Sequence, residues 1–200
     1  MKAKIISFNL SLSIFFSICI LLLVPTVSQG KGAIERGILV STGWLEAHLD
    51  QTDVVIVHVE ETTDAVDNYN AGHIPNARFV ATEDLGVTRY GVEGMLPLLD
   101  TLIELIRNLG IDEETKKIVV YGATNPGGPA RLFHVLDYLG LGDYTALLDG
   151  HLPRWISEGR STTDSLPDPV YTTFIPVMNP QALTTRSTLG DLMSTSALRR

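Results

Sequence analysis

The stretch 117–140, KIVVYGATNPGGPARLFHVLDYLG, constrains the fold of this chain more than any other. Ile118, Val119, Val120 and Tyr121 form an apolar run without alternation, the pattern of a parallel strand covered on both faces. Leu132, Phe133, Val135, Leu136 and Leu139 then recur at helical spacing, with Arg131, His134 and Asp137 on the other face and Gly140 placed to stop the helix. Strand, Gly/Pro-rich loop and helix in that order predict an α/β domain around a mostly parallel sheet. In such sheets chemistry collects at the C-terminal strand ends, so residues 122–129 are the first candidate site.

Four more strands are expected. Leu39 and Val40 make a short one, and Ser41 or Thr42 can cap the helix that carries Trp44, Leu45, His48 and Leu49. Residues 54–59, VVIVHV, read as a buried strand, with His58 a core histidine rather than a base and Glu60 and Glu61 solvated on the following loop. A short polar helix, a turn at Ile74, Pro75 and Asn76, and a strand over 77–80 come next. The helical stripe Leu98, Leu99, Leu102, Ile103, Leu105, Ile106 and Leu109 ends at Gly110, and residues 144–148 supply the fifth strand.

Charge and cysteine usage narrow the function. The formal net charge is −8, and because residues 1–30 hold Lys2, Lys4 and no acid, the rest carries −10. That balance argues against a nucleic-acid partner, and none is expected. Two lysines, an apolar run densest over 14–24, Pro25 and small residues at Ser28 and Gly30 predict a signal peptide over residues 1–30 and an exported protein, periplasmic or extracellular. An uncleaved N-terminal membrane anchor is the alternative. The only cysteine, Cys19, lies inside that run, so the mature chain has no thiol. No HExxH pattern or clustered ligand spacing occurs, and no metal or cofactor is implied.

Tyr69, His73, Ile74, Pro75, Ala77 and Val80 are spaced as in the N-terminal signature of rhodanese (thiosulfate sulfurtransferase) domains, with Asn76 where that signature has glycine. The passage LGIDEETKKIVVY resembles the lead into the family's active-site loop. Asp149, Gly150, Trp155 and Gly159 resemble its "LDGG…W…G" ending, with His151 in place of the second glycine. The resemblance implies a rhodanese-like fold over about residues 38–161, a mostly parallel five-stranded sheet flanked by helices, and a purely structural role for His73. Residues 162–181, with Pro167, Pro169, Pro176 and Pro180, read as an extended linker. Residues 182–200 echo the first unit and resemble the truncated start of a second rhodanese-like domain.

The same resemblance decides what the central loop lacks. A catalytic rhodanese domain has a cysteine at the position of Gly122, whose thiolate accepts the sulfane sulfur inside a ring of backbone amides. Glycine cannot carry a persulfide, and Pro126 and Pro129 remove two amides. A cysteine introduced at 122 is expected to be placed correctly by the strand. His58 and Glu60 stand where the family has an Asp–Arg pair, and Arg131 alone is left to face a small sulfur-containing anion. The loop resembles the non-catalytic N-terminal domain of a tandem sulfurtransferase acting on thiosulfate or 3-mercaptopyruvate, its partner being the second rhodanese domain. A stand-alone inactive module with a binding or sensing role is the alternative.

Overall fold

The computed structural model describes residues 37–61 and 64–183. The expected signal peptide and nearly all of the expected second-domain start lie outside the described residues. Twelve helices and strands follow in order: β1 (Leu39–Val40), α1 (Thr42–Glu46), β2 (Val54–Glu60), α2 (Ala65–Ala71), β3 (Ala77–Ala81), β4 (Val87–Arg89), β5 (Val92–Met95), α3 (Leu99–Asn108), β6 (Lys117–Tyr121), α4 (Gly127–Tyr138), β7 (Thr145–Leu148) and α5 (His151–Ser157). Five strands form one parallel sheet in the order β1-β7-β6-β2-β3. The α/β class and the five-stranded parallel sheet agree with the sequence reading. The β4–β5 hairpin was not anticipated, since its turn rests on only Tyr90 and Gly91, both at positive φ.

Alternation along β6 shows why its apolar run is unbroken. Ile118 and Val120 pack with Val55, Val57 and Val59 of β2 under Leu102 and Ile106 of α3 and Leu132 and Leu136 of α4. Val119 and Tyr121 face the other way, onto Leu45 of α1 and Leu152 and Trp155 of α5. A strand with helices on both faces has no solvent side to mark with polar residues.

The turn at Ile74, Pro75 and Asn76 is held by hydrogen bonds that no local pattern reveals. Ile74 donates its N–H to the Tyr121 hydroxyl at 3.0 Å, and Tyr69 donates its hydroxyl to the Ala77 carbonyl at 2.5 Å. Asn76 takes φ +63°, the left-handed conformation that glycine supplies elsewhere and asparagine tolerates, and its Nδ2 donates to the Leu49 carbonyl at 2.9 Å. Pro75 follows an Ile74 with no exposed surface, fixing the entry to β3.

The segment after α5 lies along the domain as an extended strap. His73 and Thr163 exchange two backbone hydrogen bonds at 2.9 Å, Thr172 donates its N–H to the Arg107 carbonyl at 3.2 Å, and Asn179 donates to the Tyr138 carbonyl at 2.9 Å. Phe174 is buried in the core beside α3 and α4, with Met178 packed against the same cluster.

Candidate functional site

The C-terminal ends of β2, β6 and β7 converge at Glu60, Gly122 and Asp149. Gly122 is bonded on both sides: its N–H donates to His151 Nδ1 at 3.2 Å and its carbonyl accepts the Leu152 N–H at 3.1 Å. Gly150 and His151 both sit in the left-handed region, φ +76° and +52°, so the chain turns sharply enough to bring the imidazole back over residue 122. Burial pushes the His151 ring below the ordinary histidine range, and the nearby Asp149 carboxylate opposes that shift.

The loop after β6 is closed onto the same residue. A Cβ built on Gly122 would lie 2.9 Å from Pro129 Cγ, 3.0 Å from the Asn125 carbonyl oxygen and 3.1 Å from the Val59 carbonyl oxygen. Those distances correct the expectation that the strand would seat a cysteine there, because the loop occupies the space the side chain needs. Asn125 folds the loop by accepting the Gly127 N–H at 2.8 Å and donating to Glu61 Oε2 at 2.7 Å. Gly127 and Pro129 are already in the first turn of α4, so the missing Pro129 amide is one the helix does not use.

Above this floor the surface is acidic. A cleft of about 290 Å³ lies between Glu60, Glu61, Val66, Thr82 and Glu83, and a neighbouring one of about 230 Å³ between Glu60, Glu61, Thr124 and Asn125. Among the described residues, no lysine or arginine lines either cleft. A mouth carrying carboxylates repels a small dianion such as thiosulfate, which a sulfur-transfer site must attract.

Glu60 itself departs from the expected solvated loop residue. It is 7% exposed, accepting from Asn68 Nδ2 at 2.7 Å and lying 3.2 Å from His58 Nε2. His58 is in the core as expected, among the rings of Tyr69, Phe79 and Tyr121. Burial lowers its pKa to about 4, against the pull of the Glu60 carboxylate.

The remaining sequence candidates sort by place. Arg131 donates from Nε to the Leu85 carbonyl at 3.0 Å and from a terminal nitrogen to the Gly94 carbonyl at 2.7 Å, tying the β4–β5 hairpin to α4. Tyr69, His73, Ile74 and Ala77 are buried at and around the turn that Pro75 enters, where His73 Nδ1 meets the Tyr69 carbonyl at 2.8 Å and its ring stacks on Tyr69. Trp155 is buried, donating from Nε1 to the Ser161 carbonyl at 2.9 Å, and Asp149 pairs with Arg154. Sequence reasoning missed the His151–Gly122 contact and the Asn125–Glu61 latch. The replacement of glycine by His151 was a visible signal, but its target lies 29 residues away. Among the described residues, no group of three or more His, Cys, Asp or Glu side chains is arranged to hold a metal, and no helix is long and apolar enough to cross a membrane.

Comparison with known proteins agrees with this fold. Residues 41–158 match the family described as Rhodanese-like domain. The sulfur carrier protein TtuD of Thermus thermophilus is 31% identical over 134 residues, 65% of this chain and 43% of TtuD. The thiosulfate sulfurtransferase of Pseudomonas aeruginosa is 36% identical over 105 residues, 51% of this chain and 37% of that protein. The crystal structure of SseA from Escherichia coli, whose study concerns the "rhodanese" fold and 3-mercaptopyruvate sulfotransferases, superposes with a TM-score of 0.69 at 23% identity, covering 80% of this chain and 61% of SseA. The chain thus spans less than half the length of the curated relatives it matches.

Proposed function

The chain belongs to the rhodanese-like domain family, and from that membership we propose that it serves as the cysteine-less, N-terminal type of domain in an exported thiosulfate or 3-mercaptopyruvate sulfurtransferase. In this role the domain supports a separate cysteine-bearing rhodanese domain and performs no sulfur transfer itself. The observation that carries the reading is Gly122, the residue at the position resembling the family's cysteine. It has no side chain, the closed loop would have to shift to admit one, and carboxylates line the clefts above it. The relatives, named as a sulfur carrier protein and as thiosulfate and 3-mercaptopyruvate sulfurtransferases, are more than twice as long as the part this chain matches, which leaves room in them for a second unit.

Supplied with thiosulfate and cyanide, the folded protein is expected to form no thiocyanate above background when exogenous thiols are excluded. Cyanide-dependent turnover would overturn the reading. Export is tested separately by the intact mass of secreted protein, expected to begin at Lys31; recovery of Met1 in a membrane fraction would refute cleavage in favour of an anchor.

The carboxylate-lined clefts also favour a second reading, a stand-alone binding or sensing module. Stable association with a cysteine-bearing rhodanese domain supports the first reading. Its absence, with a cationic ligand bound at Glu61 and Glu83, supports the second.

A further inference from the structure

A groove of different composition lies at the opposite end of the sheet. It has a volume of about 640 Å³ and runs between the loops entering β6 and β7 and the strap. Buried Leu139, Leu141 and Phe174 make its floor. On its wall Ile175 and Val177 are 79% and 81% exposed, although Phe174 and Met178, the strap residues on either side of them, pack on the core. Thr172, bonded to Arg107, and Asn179, bonded to Tyr138, fix the strap on both sides of these two residues. The apolar pair is therefore presented on an anchored support, the kind of exposure that marks a contact surface.

The rim identifies the kind of occupant. Asp112, Glu113, Glu114 and Asp143 border the groove, and among the described residues no lysine or arginine lines it. A second copy of this chain would bring those carboxylates against their own equivalents, in a protein whose net charge is already −8. We propose that this groove docks a separate polypeptide that presents apolar side chains flanked by lysine or arginine, the apolar groups seating against Ile175 and Val177 and the cations facing the rim. The surface is distinct from the clefts at Glu60 and Glu61, since it lies where the chain enters β6 and β7 rather than where it leaves them.

The test uses the full chain and a labelled peptide in which leucine pairs alternate with lysine, followed by fluorescence anisotropy. Saturable binding is expected, weakened at least about tenfold by Ile175→Lys or by the double change Glu113→Lys and Glu114→Lys, and reduced by added salt. Because these side chains are exposed, unchanged thermal unfolding is expected to confirm that the variants fold. Glu93→Gln, an exposed carboxylate of β5 outside the groove and the acidic clefts, is expected to leave binding unchanged. Absence of saturable binding to the folded protein overturns the proposal, as does binding that Glu93→Gln weakens and Ile175→Lys does not. Self-association that Ile175→Lys abolishes, with no peptide binding, also overturns it and assigns the groove to a second copy.

Discussion

His151 Nδ1 accepts the Gly122 N–H at 3.2 Å, joining the start of α5 to the end of β6 through a histidine held at φ +52°. This imidazole takes an amide at the end of β6, where a catalytic rhodanese loop would direct its amides at sulfur. Two changes at this position separate the bond from the strain. His151→Ala loses the acceptor and keeps the left-handed backbone, so a loss of about 1–2 kcal/mol is expected in urea unfolding. His151→Gly loses the bond but relieves the backbone, and a net change within about 1 kcal/mol is expected.

Installing the missing atom is not expected to restore sulfur transfer. Gly122→Cys forces a Cβ to within 2.9 Å of Pro129 Cγ, and overpacking of this kind costs about 1–3 kcal/mol. Chemical denaturation is expected to show that loss, and thiocyanate formation by the variant is expected to stay at background.

Acid is expected to destabilise the fold through His58. Its pKa is lowered from 6.5 to about 4 by burial, so the unfolded chain binds the proton more readily than the folded one. This contribution to stability is full above pH 6.5 and is lost as pH falls through about 4. Unfolding free energies measured from pH 7 to pH 4 are expected to fall for the wild type, with a flatter profile for His58→Gln.

The strap is expected to contribute to folding beyond connecting units. Phe174 is 6% exposed in the main core cluster, and Phe174→Ala is expected to cost about 3 kcal/mol, as large-to-small changes at buried aromatics do. Calorimetry of the variant against wild type provides the measurement, and an unchanged midpoint would place the strap outside the cooperative unit.

Tyr69→Phe isolates one bond of the buried turn. The hydroxyl reaches the Ala77 carbonyl at 2.5 Å, so its removal leaves that buried acceptor short of a partner, at a cost of about 1–2 kcal/mol. Urea titration reads the loss directly, with hydrogen exchange at β3 expected to speed up.

The sequence by itself determined the architecture. The unbroken apolar run of β6, the helical stripes of α3 and α4 and the turn residues around Pro75 each carry a local period or a local backbone restriction, and these specify elements without reference to distant residues. It also determined that no cysteine follows Cys19, so position 122 and its loop hold no thiol, which is a matter of composition. What only the tertiary structure decided are the relationships across the fold. Glu60 looked solvated because two consecutive glutamates after a strand usually are, yet Asn68 of α2 and His58 draw it inward. Arg131 looked ready for an anion, yet its donors go to carbonyls at Leu85 and Gly94. Gly122 looked like a vacancy that a cysteine could fill, yet Pro129, Asn125 and Val59 close around it. Asn68, Gly94, Leu85 and Val59 reach these sites from 8 to 63 residues away, and no period along the chain encodes such distances.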